Sequence, residues 1–356
     1  MTIIDVLREG LTDAPSVRRP MGLEFRQNLA AAADAPVQPP SYQGDLEIHK
    51  RHVDGEVREV VELDSVGSSA NRIEERFEDE RRAGRYPLPV MSTTIEAGDQ
   101  TYEISSLVAP HRATDAWLRL STLPDSDELF ETTEDGRALS LAHADALDPV
   151  LEMSAADLLL GVWDSHRSGP SGQLRIPRAF TSTVLGFDPL PVGTRAARRD
   201  PLNLGEAKDI KAPKGERLSE QGLSSIPPVE RRPGVSISGA RFVGFLSFAA
   251  LRRLRFAHYE DTEVRVLLAA LCLYGVLLRA ESGWFLRSGC DLIPTEEMRV
   301  TVPRSGVQDA EDVTVSLDDA RALLEEAIAR VNINDRRIRL VGGPKLTPIV
   351  ERGLEG

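Results

Sequence analysis

The order of apolar segments along the chain predicts an α+β fold. A strand-like segment at 57–63 is followed by a segment with apolar residues at helical steps, from Val66 to Phe77. The second half of the chain alternates strand-like and helix-like segments, and long loop-rich insertions separate the halves. The later segments are a strand at 235–248, a helix at 263–279, a strand at 284–286, a helix from Ser316 and a strand at 337–341. This order predicts a split βαβ core of the ferredoxin or RNA-recognition type.

The N-terminal segment predicts little regular structure. Residues 1–27 have the pattern of a short helix followed by coil around Arg18-Arg19-Pro20, and the Ala/Pro-rich run 30–40 predicts a loop.

A helix start near Asp64 carries the first candidate site. Asp64 is a suitable N-cap residue, and one face of the helix is apolar. Hydroxyl, amide and guanidinium groups follow near its positive end: Ser68, Asn71, Arg72 and Arg76. Such a helix start can clamp a phosphate group, and the alternative is that the Ser and Asn residues only cap the helix.

A short strand at 101–105 precedes a second compact helix, expected to begin near Pro110. Its predicted buried stripe is Ala113, Ala116, Trp117 and Leu120. His111 and Arg112 lie outside that stripe and favour a polar role. Another short helix is expected at 154–161.

The stretch from Leu158 to Thr183 is the second candidate site. An aromatic residue, a hydroxyl, a histidine and three arginines alternate there with small residues and helix breakers: Trp163, Ser165, His166, Arg167, Arg175 and Arg178. Donors for phosphate oxygens and flat groups for stacking are typical of surfaces that bind single-stranded nucleic acid. The alternative is a charged loop between two buried elements.

Residues 186–234 are rich in Pro, Gly, Lys and Arg and poor in large apolar residues. Such a segment buries little surface, so we expect an extended or mobile excursion that becomes ordered on a partner. The apolar run 266–278 is too short to span a bilayer and predicts a buried helix.

Charge is unevenly distributed. The net charge is −13, yet residues 161–255 hold sixteen Lys or Arg and eight Asp or Glu. Phosphate binding depends on the local field of a surface, so the total charge does not exclude nucleic acid. The two cysteines, Cys272 and Cys290, form no disulfide framework, and no signal segment is evident, so a cytoplasmic protein without membrane contact is expected.

Several kinds of catalytic and metal site are excluded by pattern. The chain has no Walker motif, GxSxG elbow, HExxH motif or EF-hand loop. His49 and His52 have no further residue at a metal-ligand spacing. Asp164-Ser165-His166 contains the residue types of a triad, but sequence neighbours rarely adopt its geometry. We therefore expect no cofactor, no metal and no catalytic residue.

Four motifs between residues 36 and 183 carry a family resemblance. They are Pro39-Pro40-Ser41-Tyr42; Leu63-Asp64-Ser65-Val66 with Ala70-Asn71-Arg72-Ile73-Glu74; Ala109-Pro110-His111-Arg112-Ala113-Thr114-Asp115-Ala116; and Gly161-Val162-Trp163-Asp164-Ser165-His166-Arg167 through Pro177-Arg178-Ala179. In this order the set resembles the backbone subunit of type I-G (formerly I-U) CRISPR effector complexes, a member of the RAMP superfamily.

The resemblance implies one domain over 1–356 with an RNA-recognition-motif (ferredoxin-like) core. Its large insertions would form thumb and helical lobes, and 186–234 would be a flexible, basic, thumb-like insertion. Several copies would line up head-to-tail along one CRISPR RNA in an antiviral ribonucleoprotein, beside other subunits. They would hold the guide open to pair with target DNA as a heteroduplex.

The resemblance also implies RNA contacts by Asn71, Arg72, His111, Arg112, Ser165, His166, Arg167, Arg175 and Arg178. Trp163 would either stack on a base or anchor the loop in the core. Two alternatives stay open: a RAMP-type endoribonuclease that processes CRISPR RNA, with His166 and Ser165 as acid and base, and a structural subunit without RNA contact.

Overall fold

A computed structural model describes residues 2–42, 45–164, 174–198, 200–202, 223, 226–307 and 310–354. Its strands are β1 (Gly22–Ala31), β2 (Ser41–Tyr42), β3 (Asp45–Leu46), β4 (Ile48–Val53), β5 (Glu56–Asp64), β6 (Val90–Ala97), β7 (Gln100–Ser105), β8 (Val162–Asp164), β9 (Leu174–Ile176), β10 (Phe180–Phe187), β11 (Leu190–Arg198), β12 (Ile226–Ser236), β13 (Gly239–Ser247), β14 (Trp284–Arg287), β15 (Cys290–Pro294), β16 (Arg299–Val302), β17 (Glu311–Val313) and β18 (Arg337–Val341). Its α-helices are α1 (Ile3–Leu11), α2 (Val66–Arg82), α3 (Ala116–Arg119), α4 (Glu134–Leu141), α5 (Asp148–Leu160), α6 (Phe248–Leu251), α7 (Asp261–Glu281), α8 (Leu317–Val331) and α9 (Thr347–Leu354).

The central sheet has the strand order of a split βαβ unit. β1 lies between β13 and β15, and β10 pairs with the other side of β13, all antiparallel. The helix α2 lies between β1 and β10 in the chain, and α7 follows β13. Two strand–helix–strand crossovers with an antiparallel sheet are the ferredoxin-like arrangement. The predicted α+β class with an RNA-recognition-motif core and insertions is confirmed.

Inserted strands extend this core. The hairpin β4–β5 pairs with β10 at one end of the sheet, and β14 pairs with β15 at the other. A separate sheet has the order β18-β6-β7, with β18 parallel to β6. β11 and β12 form an antiparallel ribbon of their own.

The helix α7 is the centre of the apolar core. The run 266–278 forms its middle and is buried up to Leu277, with Leu278 half-buried, largely as predicted. α7 packs against α1, α2 and α8. Gly275 permits the close approach of α2, because a Cβ atom there would lie 2.6 Å from the Phe77 ring. Within the described residues no helix is long and apolar enough to cross a membrane.

Four local predictions need correction. β1 begins at Gly22, inside the supposed coil of residues 12–27, and continues to Ala31 because Ala30 and Ala31 pair with β15. The cap of α2 is Ser65, whose Oγ accepts a hydrogen bond from the Ser68 N–H at 3.3 Å. Asp64 is buried and paired with Arg72 instead. Gly186 belongs to β10, so the excursion begins after Phe187.

The helix expected near Pro110 is broken. A 3₁₀ turn at Arg112–Thr114 is followed by α3, because Asp115 has extended backbone and caps α3 by accepting from the Trp117 N–H. Leu118 is buried while Ala116 is exposed, so the predicted buried stripe is wrong at Ala116, and Trp117 and Leu120 are only half-buried.

Candidate nucleic-acid interface

The hairpin β8–β9 presents an aromatic ring and a guanidinium group at the surface. Trp163 and Arg175 are paired in register, so their side chains point to the same face. The Arg175 guanidinium carbon lies 5.8 Å from the centroid of the Trp163 ring. Trp163 is 59% exposed, which excludes the core-anchor role for its side chain. An exposed tryptophan beside an arginine offers stacking and cationic groups to a single strand.

Arg112 ties the start of this hairpin to α2. Its guanidinium donates to both carboxylate oxygens of Glu74, at 2.5 and 3.0 Å, and to the carbonyl oxygen of Gly161 at 2.7 Å. The Arg112 and Glu74 side chains are only 11% and 6% exposed. A buried, bidentate pair of this kind fixes geometry more firmly than a surface ion pair does.

Gly161 is required where α5 turns into β8. Its φ is 87°, a region that side chains rarely adopt. A Cβ atom there would lie 3.0 Å from the backbone nitrogen of Arg178 and from the carbonyl oxygen of Ile176. The two strands of the hairpin therefore converge at a position where only a glycine fits without strain.

Two buried carboxylates lie beneath the hairpin. Burial raises the pKa of Glu74, and the hydrogen bonds from Arg112 and the nearby charge of Arg178 oppose that shift. Burial raises the pKa of Asp157 to about 7, against the opposing charge of Arg112 and hydrogen bonds from Ser154 and Ala113. The Ser154 hydroxyl donates to Asp157 at 2.6 Å and the Ala113 N–H at 3.2 Å. The site thus rests on a charged cluster inside the protein.

The polar residues near the start of α2 do not all face solvent. Asn71 is exposed and precedes Glu74 by three residues, so both lie on one helical face. Arg72 turns inward: its Nε donates to Asp64 at 3.0 Å, and its Nη2 donates to the carbonyl oxygen of Leu286. Most of its donor capacity is therefore used within the protein.

The structure brings several of the predicted contact residues together. Exposed His111 and Arg178 lie close to the Arg112–Gly161 contact, and Trp163 and Arg175 lie on the adjoining hairpin. Exposed Asn71 lies one helical turn before Glu74 on α2. Ser165, His166 and Arg167 belong to 165–173, outside the described residues. RNA contact by any of the ten residues stays a prediction.

Sequence reasoning did not identify Glu74, Asp157 and Gly161 as parts of this site. One usable signal was a carboxylate on the apolar side of a helix, since buried acids need a cationic or donor partner. Asp157 in the run Ala-Ala-Asp-Leu-Leu-Leu has that pattern.

The ribbon β11–β12 is anchored to the core at its base. Val235 and Val37 exchange two backbone hydrogen bonds of 2.8 Å, and the Val235 side chain is fully buried. Further out, Thr194 pairs with Arg231 and Arg195 with Glu230 in the backbone register.

In the described ranges, no group of three or more His, Cys, Asp or Glu residues is arranged to hold a metal ion. His49 and His52 lie exposed on β4.

Comparison with known proteins gives one family. Residues 23–189 match the model of the family described as CRISPR-associated protein GSU0053, which is just under half of the chain. The matched segment contains β1 from Leu23 onward, α2, the Arg112 turn and the hairpin β8–β9. No curated protein matches the chain. Over these residues the chain is similar to this family of CRISPR-associated proteins.

Proposed function

We propose that this protein is a CRISPR RNA-binding backbone subunit of a type I-G antiviral surveillance complex. The observation that carries the proposal is the hairpin β8–β9, which lies inside the segment related to CRISPR-associated proteins and exposes Trp163 with Arg175. In this role the protein reads RNA backbone and leaves sequence recognition to base pairing.

The division between inner and outer arginines supports a preformed surface. Arg112 is committed to Glu74 and to the Gly161 carbonyl, so it sets the position of the hairpin. Arg175 and Arg178 are exposed, and no carboxylate within the described part of the chain forms an ion pair with either. On this proposal both charges bind phosphate groups, and the charge of Arg178 also acts on buried Glu74.

The ribbon β11–β12 supplies the thumb of the proposed subunit. It leaves the core sheet directly after β10, and residues 161–255 carry the excess of positive charge. Its base is joined to the core by the two hydrogen bonds between Val235 and Val37. On this proposal the ribbon reaches over bound RNA toward the next copy, and copies line up head-to-tail, beside the other subunits of the complex.

The salt dependence of RNA binding tests the proposal. The purified protein is titrated with labelled single-stranded RNA at several salt concentrations, alongside Arg175→Ala and Arg178→Ala. Each lost phosphate contact should reduce the slope of log K against log salt by about 0.7 for a single strand. The same expectation applies to Arg167→Ala. Arg339→Ala removes an exposed arginine on β18 and should keep the wild-type slope.

Two results would reject the phosphate role: an unchanged slope in both Arg175→Ala and Arg178→Ala, or an equal reduction in Arg339→Ala. Absorbance of the purified protein before and after ribonuclease, with sequencing of any RNA released, identifies the RNA. A protein that purifies without RNA and binds none would instead be a structural subunit.

A further inference from the structure

A groove of about 600 Å³ lies along the free edge of β17. Among the strands that the structure describes, β17 pairs with β16 alone, so its second edge has no strand partner. Five consecutive residues, 311–315, line this edge groove. Since side chains alternate between the two faces of a strand, a cavity that meets every residue in succession lies at the strand's edge. The start of α1 and one face of α8 form the other walls.

The floor of the edge groove is apolar. Val6 of α1 and Leu323 of α8 line it and are buried. Half-buried apolar residues lie around them: Ile3, Ile4, Val313 and Val315. An edge strand beside apolar side chains can accept an extended segment, because its unpaired N–H and C=O groups supply hydrogen bonds and the apolar floor takes alternate side chains.

The rim of the edge groove is acidic. Four exposed carboxylates line it: Glu311, Asp312, Asp319 and Glu326. None of the described residues that line it is Lys, Arg or His. An extended ligand with apolar side chains toward the floor and cationic side chains toward the rim matches both features of the groove.

Three of these acids already form ion pairs within the protein. The pairs are Glu311 with Arg304, Asp312 with Arg299 and Glu326 with Arg330. The three acids are exposed, and exposed ion pairs contribute little, so a ligand cation can share or displace them. The hydrogen bonds from Arg299 lower the pKa of Asp312, so this carboxylate stays ionised at neutral pH.

We propose that the edge groove binds an extended peptide segment of another protein, which adds as a strand to β17. Apolar and basic residues alternate in this segment, so that the apolar side chains lie on the floor and the basic ones reach the rim. A second copy of this chain is disfavoured as the occupant, because each copy carries a net charge of −13. RNA binding by the hairpin β8–β9 is not required for this contact.

Peptide binding and amide hydrogen exchange test the contact on the full chain. The probe is a labelled seven-residue peptide that alternates Lys or Arg with Val. We expect saturable binding, weakened at least tenfold when Asp and Glu replace the basic residues. The bound peptide should slow hydrogen exchange in 311–316 at least fivefold, because the free edge of β17 gains hydrogen bonds.

Two N-methylated peptides test the addition of a strand. One is methylated at the backbone nitrogens of the basic residues, the other at those of the Val residues. Only alternate N–H groups of an added strand face its neighbour, so one peptide should bind at least tenfold more weakly than the other.

Ala322→Arg places a cation in the edge groove from an exposed position on α8, and it should weaken peptide binding at least tenfold. Ala329→Arg is the matched control, because Ala329 is exposed on the same helix and does not line the groove. It should bind the peptide within twofold of the wild type. Glu326→Gln and Glu325→Gln form a second pair in case Ala322→Arg does not fold. Glu326 alone of these two lines the groove, so only Glu326→Gln should weaken binding, about threefold.

Several results would overturn the proposed contact. They are the absence of saturable binding, equal binding of the acidic peptide, and equal binding of the two N-methylated peptides. Equal losses in Ala322→Arg and Ala329→Arg would place the peptide elsewhere on the surface and contradict the contact as well. Sedimentation velocity of RNA-free protein identifies the remaining occupant. If the wild type self-associates and Ala322→Arg is monomeric, a second copy fills the groove and the contact with another protein is wrong.

Discussion

Arg112 shows how much structure one side chain can hold in place. Its backbone has a φ of 53°, which is unusual for a residue other than glycine. Its guanidinium joins the 3₁₀ turn to α2 and to the start of β8. Lysine has one point charge and cannot form the paired contacts to Glu74 while also reaching Gly161. The planar group is therefore needed for the position of the hairpin.

Asp157 should make stability depend on pH. Its pKa is raised from 3.8 to about 7 in the folded protein. Well below pH 3.8 the Asp157 carboxyl is protonated in both the folded and the unfolded protein, so it does not change the free energy of unfolding. Above this pH the carboxyl ionises first in the unfolded protein, which favours unfolding. This loss of stability grows until about pH 7, where Asp157 of the folded protein also ionises. The free energy of unfolding of Asp157→Asn, relative to that of the wild type, should therefore rise by up to about 4 kcal/mol between pH 4 and pH 8.

Denaturant unfolding at four pH values between 4 and 8 measures this difference. The trend with pH is decisive, because asparagine also loses an acceptor for the Ala113 N–H at every pH. Asp291→Asn, at an exposed position on β15, should show no such trend. A constant difference between Asp157→Asn and the wild type would mean that Asp157 does not titrate in this range.

At the scale of elements, the ribbon β11–β12 should be separable from the core. Deleting 195–232 leaves Val192 paired with Gly234, joined by Gly193, Thr194 and Pro233. The base at Val235 keeps its bonds to Val37. We expect a folded monomer that forms shorter assemblies on RNA. Circular dichroism and native mass measurement test this, and global unfolding would show that the ribbon belongs to the core.

Long apolar runs were the features that the sequence predicted best, and of the two helix starts proposed at Asp64 and Ser316 only the second was right. α7 follows from its apolar run, and the Ser316 cap of α8 was predicted from the start Ser-Leu-Asp-Asp, where Ser316 and Asp319 bond reciprocally. β1 was missed although Leu23, Phe25 and Leu29 alternate. Its polar residues favoured a prediction of coil. In the structure Arg26 forms an ion pair with Asp54, and the buried Gln27 side chain accepts a hydrogen bond from the Trp284 indole N–H. Those partners are distant in sequence.

The same limit applies to the candidate site. The exposed positions of Trp163, Arg175 and Arg178 agree with the composition of the stretch 158–183. Arg72 and Arg112 were predicted to contact RNA, yet their guanidinium groups have partners inside the protein. Composition shows that a cation is present. It does not show that Glu74, 38 residues away, will neutralise Arg112.

For the molecule as a whole, we expect RNA binding without RNA cleavage. General acid–base cleavage needs a base near the 2′-hydroxyl and an acid near the leaving oxygen, and His166 alone supplies one of these roles. In 161–183 Asp164 is the only acidic residue, so the stretch lacks clustered carboxylates for metal-assisted cleavage. Labelled repeat RNA and complementary DNA should stay intact with and without magnesium or manganese.

Gel analysis of these incubations has a built-in control. A discrete product that disappears in His166→Ala would overturn the binding-only proposal and favour the ribonuclease alternative. A product that persists in that variant would point to a contaminating nuclease.

The strands at the two ends of the main sheet are poor templates for another chain. β4 exposes His49, Lys50, Arg51 and His52 in succession. At the opposite end, the Leu286 carbonyl of β14 already accepts a hydrogen bond from Arg72. An approaching strand would meet positive charge at one edge and an occupied acceptor at the other. Pairing of two copies through either of these two edges is thereby disfavoured.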